Sequence, residues 1–251
     1  MQAAKRIVPI EDRALYVEEY GAGEPLLLLH GLVGTGADWR HVFDLDALAA
    51  TYRVIVPDAR GHGRSASGAD TFTFRDCARD VLGLLDALGI DRARAIGVSL
   101  GAKTLLHVAT EEPARLSAMV LVSAAPRFPD STRALFRAAA AAEHAPEEWA
   151  SMRAIHVQGD EQITSLWQLP GHFAENVSDM SFTSERLGAI TARTLLVSGD
   201  RDPLYPVELA VELFRGIPRA ALWVVPGGGH GPIFLSEREA FARVALPFLR
   251  G

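Results

Sequence analysis

Ala95-Ile96-Gly97-Val98-Ser99-Leu100-Gly101-Ala102-Lys103-Thr104-Leu105-Leu106-His107-Val108-Ala109 is the stretch on which the fold turns. Ala95–Val98 is a short apolar run of strand length, and Ala102, Leu105, Leu106 and Ala109 repeat at helical spacing directly after it. Only a sharp turn separates the two. A serine sits in that turn with a glycine two residues before it and another two residues after it. Small residues are wanted there because a strained strand-to-helix reversal crowds its own backbone. The serine oxygen would then stand at the edge of a sheet, over a helix N-terminus whose dipole favours negative charge.

Working outward, the same alternation recurs. Arg6–Ile10 and Leu15–Tyr20, joined by Glu11-Asp12-Arg13-Ala14, read as a hairpin. Leu26–Leu29, Val54–Pro57, Ala118–Ser123, Thr194–Val197 and Leu222–Val225 read as further strands, which with Ala95–Val98 makes eight. Phe74, Ala78, Val81, Leu85 and Leu88 form a helical stripe that stops at Gly89. Val207, Ala210, Val211 and Phe214 form another behind Pro206, a residue suited to a first helical position. Ser236-Glu237-Arg238-Glu239 has the spacing of a capping box, opening a last helix with Phe241, Val244, Ala245 and Phe248 inward. Strands alternating with helices predict an α/β protein: a mostly parallel eight-stranded sheet flanked by helices on both faces.

One interval breaks this rhythm. Residues 124–192 contain no convincing strand; Ser131–His144 and Pro146–Val157 read as helices, a loop with Gly159, Pro170 and Gly171 follows, and a short helix lies near Thr183–Ile190. An insertion of that length must be structured in its own right. The expected organisation is a core of residues 1–123 and 193–251 with a helical cap, 124–192, laid over one edge of the sheet.

The 251 residues are 49% apolar and 22% charged, an ordinary globular balance that excludes collagen-like, disordered and disulfide-stapled classes. A formal charge of −6 disfavours nucleic acid, whose binders need a basic stripe. The 25 basic residues are 23 arginines with only Lys5 and Lys103, which reads as codon bias. No apolar run reaches the ~18 residues a membrane helix needs, and Met1–Glu11 lacks the apolar core of a signal peptide. With the single cysteine, Cys77, this predicts a soluble cytoplasmic protein with no membrane or nucleic-acid partner; its oligomeric state stays open.

A serine hydroxyl is a weak nucleophile and needs a base oriented by a carboxylate. In a parallel sheet both belong in loops at the carboxyl edge of later strands. After Thr194–Val197 comes Gly199-Asp200-Arg201-Asp202-Pro203, and after Leu222–Val225 comes Gly227-Gly228-Gly229-His230-Gly231. The glycines around His230 mark a loop; spacing alone does not separate Asp202 from Asp200. Backbone N–H donors for an oxyanion are expected from Leu100, the residue after the serine, and from Leu32 in His30-Gly31-Leu32-Val33-Gly34.

Taken together, His30-Gly31, Asp58-Ala59-Arg60-Gly61-His62-Gly63-Arg64-Ser65, Gly97-Val98-Ser99-Leu100-Gly101, Gly199-Asp200-Arg201-Asp202 and Gly229-His230 resemble the α/β-hydrolase superfamily, in family order and over all of the chain but the cap. The resemblance implies the α/β-hydrolase fold with its helical cap at Ala124–Ala192, and it points to Asp202 as the acid. Ser99 sets the chain apart from epoxide hydrolases and haloalkane dehalogenases, which carry an aspartate nucleophile. Arg60 and Gly231 depart from the proline and tryptophan usual in meta-cleavage C–C hydrolases. The Asp-x-Arg-Gly-His-Gly form looks more like small carboxylesterases, enol-lactonases and cofactor-free haloperoxidases, and Lys103 after the turn is also seen in some of the esterases. Ala102 stands where a second glycine is commoner.

Plainer readings apply elsewhere. His30 and His62 brace their loops. A metal site from His30, His62, Asp58 and His230 lacks any i, i+4 ligand pair. Gly97–Thr104 approaches a phosphate-binding loop, but Ala102 intervenes before the lysine, and Cys77 reads as packed. In the cap, Phe128, Phe136, Trp149, Met152, Trp167 and Phe173, with Met180 and Phe182, line an apolar substrate pocket or form the cap's own core. The expected function is a cofactor-independent serine esterase, using Ser99, His230 and Asp202 on a small ester, lactone or thioester with an apolar portion. Its rivals are C–C hydrolase, lyase or perhydrolase chemistry on the same triad, or a receptor that binds with little turnover.

Overall fold

The computed structural model describes residues 3–11, 13–66 and 72–251. Met1, Gln2 and Asp12 of the hairpin turn lie outside the described residues. Eight strands form one sheet: β1 (Ala4–Ile10), β2 (Arg13–Tyr20), β3 (Glu24–Leu29), β4 (Tyr52–Pro57), β5 (Ala93–Val98), β6 (Leu116–Val122), β7 (Arg193–Gly199) and β8 (Ala220–Val225). Their order is β1-β2-β4-β3-β5-β6-β7-β8. β2 runs antiparallel to both β1 and β4, and every other pairing is parallel.

Interleaved with the strands are α1 (Leu45–Ala49), α2 (Phe74–Ala87), α3 (Leu100–Glu111), α4 (Asp130–Ala140), α5 (Pro146–Ile155), α6 (Asp160–Glu175), α7 (Ser184–Gly188), α8 (Val207–Gly216) and α9 (Arg238–Arg250). Strand alternation divides the core between the two faces. In β3, Leu27 and Leu29 pack with Phe74, Leu84 and Leu85 of α2 and Leu105 and Leu106 of α3. Leu26 and Leu28 pack instead with Leu45 and Leu48 of α1 and Phe241, Ala245 and Leu249 of α9. Both faces of the central strands are therefore covered, which is why those strands are uniformly apolar. Among the described residues, no helix is long and apolar enough to cross a membrane.

Several local expectations are corrected. On α8 the buried face is Leu209, Ala210 and Leu213, while Phe214 is exposed; the apolar stripe is wider than the strip that meets the sheet. Pro206 precedes that helix and is not its first residue. Ser236 caps nothing: Leu235–Glu237 is a 3-10 turn, α9 starts after it, and the Ser236 hydroxyl bonds the Glu237 carboxylate at 3.3 Å. Val244 of α9 points outward.

The largest difference is α6, a 16-residue helix where Pro170 and Gly171 suggested a loop. Ile163, Leu166, Leu169 and Phe173 recur at helical spacing and are buried. Gly171 serves packing, because a Cβ there would stand 3.0 Å from the Ala140 Cβ of α4. Tertiary burial along this face outweighs the cost of a proline inside the helix.

Candidate active site

β5 ends at Val98, and Ser99 turns the chain into α3 with φ of +49°, a left-handed conformation for a residue with a side chain. The two flanking glycines are close approaches. A Cβ on Gly97 would lie 2.5 Å from the Gly101 carbonyl, and one on Gly101 would lie 2.4 Å from the Leu29 carbonyl oxygen. The turn is tied down by Ser99 N–H donating to Val122 O at 2.9 Å and Gly101 N–H donating to His30 O at 3.1 Å.

That turn, the loop after β7 and the loop after β8 converge because parallel strands put their carboxyl ends on one side of the sheet. Ser99 Oγ lies 2.9 Å from His230 Nε2, and His230 Nδ1 lies 2.8 Å from Asp202 Oδ2. An ionised carboxylate only accepts, so Nδ1 carries the imidazole proton and Nε2 presents its lone pair to the serine O–H. The Asp202 side chain is fully buried and its Oδ1 takes the N–H groups of Leu204 (2.8 Å) and Tyr205 (3.1 Å). Burial opposes its charge, but the His230 hydrogen bond and the two N–H groups outweigh burial and hold the carboxyl below the usual aspartate range. Asp200 faces elsewhere, accepting the Gly227 N–H at 2.6 Å.

Leu32 and Leu100 lie on the wall of a cavity of about 320 Å³ that also contains Ser99 and His230. Leu100 opens α3, where an N–H has no intrahelical acceptor. Neither N–H has an acceptor among the described residues. Of the aromatic and methionine side chains singled out in the sequence, Phe136 and Phe173 line this cavity. Phe128 does not: it is packed between Phe74, Phe136 and Tyr205. Trp149 and Trp167 pair edge to face at 4.6 Å, with His144 stacked on Trp167 at 3.6 Å. Met152, Met180 and Phe182 are buried core. Further apolar wall comes from Val33, Phe74, Val98, Leu204, Tyr205 and Phe234, all outside 124–192.

Three residues at the site carried no role in the sequence reading. Lys103 is 2% exposed, with Nζ 3.4 Å from Ser99 Oγ. Burial pushes its amine down from 10.5 to about 7, against the opposing charge of Asp202. Its position four residues after the serine on a helix was readable as same-face proximity. Ser123, just past β6 with φ of +51°, accepts the Gly231 N–H at 2.9 Å through Oγ. It is the polar residue ending an apolar strand beside β5, a signal of the same kind as the other strand ends. His156, between α5 and α6, accepts the Gly63 N–H at 2.8 Å and donates through Nε2 to Val33 O at 3.0 Å. Nothing local in sequence marks it.

His156 completes a group of buried imidazoles that lace the loops together. His30 donates to Gly31 O (2.7 Å) and accepts the Ala59 N–H (2.9 Å). His62 donates to Arg60 O (2.9 Å) and accepts the Val33 N–H (3.3 Å). Burial lowers the pKa of all three. With both nitrogens of each ring engaged, none is left for a metal ion. Among the described residues, no cluster of three or more His, Cys, Asp or Glu is placed to hold one.

The comparisons agree with this architecture. A model described as the alpha/beta hydrolase family matches residues 26–244. The protein called "Putative carbamate hydrolase RutD" of Variovorax paradoxus (strain S110) is 34% identical, covering 94% of this chain and 96% of its own. A 2-hydroxy-6-oxo-6-phenylhexa-2,4-dienoate hydrolase of Burkholderia cepacia is 30% identical, over 97% of this chain and 96% of its own. Among solved structures, the enol-lactonase from Burkholderia xenovorans LB400 superposes with a TM-score of 0.80 over 98% of this chain and 100% of its own, at 21% identity, a likeness of fold. The serine turn after β5, the strand order and these relatives place the chain in the alpha/beta hydrolase family.

Proposed function

We propose that the protein is a cofactor-independent serine hydrolase of carboxylic esters, lactones and thioesters included, working through an acyl-enzyme. The observation that carries this reading is the continuous pair of hydrogen bonds from Ser99 Oγ to His230 Nε2 (2.9 Å) and from His230 Nδ1 to Asp202 (2.8 Å), opening on one cavity. Ser99 Oγ attacks the ester carbonyl as His230 takes its proton, and Asp202 holds the imidazole tautomer and offsets the imidazolium charge. The tetrahedral oxyanion falls to the Leu32 and Leu100 N–H groups, each contributing about 3 kcal/mol in the manner of other oxyanion donors. His230 then returns the proton to the departing alkoxide. Water, deprotonated by the same imidazole, releases the acid. Residues 124–192 act as a cap over the core of 1–123 and 193–251; Phe136 of α4 and Phe173 of α6 supply its share of the pocket wall.

Burst kinetics with p-nitrophenyl acetate, butyrate and octanoate test this. A burst equal to the enzyme concentration, abolished in Ser99→Ala together with a turnover loss of about 10³-fold or more, is the expected result. No burst, and no difference from the variant, would reject it. A second reading, cleavage of a C–C bond beside a ketone by the same residues, is favoured by the relative named as a dienoate hydrolase. Product analysis separates the two, since an ester yields an acid and an alcohol.

A further inference from the structure

Helix side chains lean toward the N-terminus, so Lys103, one turn into α3, runs back toward Ser99. Its ammonium is boxed by aromatic rings, 4.5 Å from the Tyr205 centroid, 5.6 Å from Phe74 and 5.8 Å from Phe128. Ser99 Oγ, at 3.4 Å, is its only hydrogen-bond acceptor among the described residues, though an ammonium has three N–H groups to place. Asp202 is the carboxylate whose charge reaches it, and both Asp202 oxygens are engaged by His230, Leu204 and Tyr205. Asp38, the carboxylate on the cavity wall, takes the Thr35 N–H. A buried charge is ordinarily paired. Among the described residues this one has no counter-ion, and it lines the cavity beside the serine under three aromatic rings.

From this we infer that Lys103 is the subsite for a carboxylate carried on the acyl portion of the substrate, close to the scissile carbonyl. The inference rests on Ser99 being the nucleophile, because that places the acyl carbon next to Nζ. A purely apolar acyl group would leave two ammonium N–H groups facing aromatic carbon. A carboxylate accepts both and supplies the missing counter-charge, while the rings hold the ammonium by cation–π attraction. Half-esters of short dicarboxylic acids, such as a succinyl group, have the required chemistry.

Calorimetry at about pH 6, where Lys103 carries its proton, with succinate and with succinamide as its uncharged counterpart, reads the subsite without turnover. The wild type is expected to bind succinate about ten-fold or more tightly than succinamide, and Lys103→Met and Lys103→Gln to lose that margin. In turnover, the ratio of kcat/KM for monomethyl succinate to that for methyl butyrate should fall about ten-fold or more in Lys103→Met. Equal affinity of the wild type for the two ligands, a comparison that needs no variant, overturns the inference. So does an equal fall for both esters, which would assign the lysine to the serine itself. Lys103-dependent succinate binding by a protein that also shows no burst with p-nitrophenyl esters removes the serine-hydrolase reading and with it the assignment of Lys103 to an acyl portion, leaving a carboxylate site alone.

Discussion

Ser123 Oγ accepts the Gly231 N–H at 2.9 Å, joining the end of β6 to the residue that follows His230. The imidazole is thus placed through its own loop and also from a neighbouring strand end. Ser123→Ala keeps the backbone and leaves a buried N–H unpaired, which costs about 1–3 kcal/mol of stability. We expect kcat to fall with little change in KM, because the bond positions the base and touches no substrate. Steady-state kinetics and urea denaturation check both halves; unchanged kcat would show that the His230 loop holds itself.

Asp202 and Asp200 share a loop, yet only Asp202 meets His230. Asp202→Asn should lower kcat by about 10⁴-fold, since the amide favours the wrong imidazole tautomer. Asp200→Asn should stay within a few-fold of wild type. Comparable losses in the two variants would contradict the geometry.

Lys103 also has a consequence for stability. Its amine titrates at about 7 in the folded protein, below its ordinary 10.5, so between those values the unfolded chain binds the additional proton. Stability therefore rises with pH across that window, and below it the folded protein bears the whole cost of a buried charge. Lys103→Met should be more stable than wild type at about pH 6, by a few kcal/mol. The advantage should shrink steadily toward about pH 10. Paired thermal melts across this range would show it; a gap independent of pH would refute the linkage.

His156 ties the α5–α6 junction to the loops after β3 and β4. Burial lowers its pKa, with the Val33 hydrogen bond opposing, so the unfolded chain takes up a proton first as the pH falls. Its contribution to stability is complete above the ordinary histidine value of 6.5 and is lost below it. His156→Leu should cost about 1–3 kcal/mol at neutral pH, through the orphaned Gly63 N–H, and should shallow the acid limb of stability. Urea titrations at about pH 7.5 and 5.5 measure this; an unaltered acid limb would assign that sensitivity to His30 and His62.

Much of this protein is written locally. The eight strands, the turn at Ser99 and the glycine-flanked loops carrying Asp202 and His230 were legible because each depends on near neighbours: apolar runs of strand length, helical spacing, and small residues where backbones touch. The strand ends could be assigned to one side of the sheet from parallel topology alone. The parts that were not legible depend on distant partners. Gly171 reads as a breaker until Ala140 of α4 lies against it. Trp149, Met152 and Trp167 look the same in sequence as Phe136 and Phe173, and only the packing of α4 and α5 against α6 divides filler from cavity wall.

Sequence alone determined the alternation of strand and helix, and through it the sheet edge at which Ser99, Asp202 and His230 meet, because periodicity and turn chemistry are properties of consecutive residues. Only the tertiary structure set Asp202, the acid to which the resemblance points, against the imidazole and Asp200 against Gly227, made Ser123 and His156 hold the loops, and buried Lys103 beside the serine with no counter-ion among the described residues. Those are statements about which groups from remote segments share one small volume. Burial and pairing are set there by the packed chain as a whole.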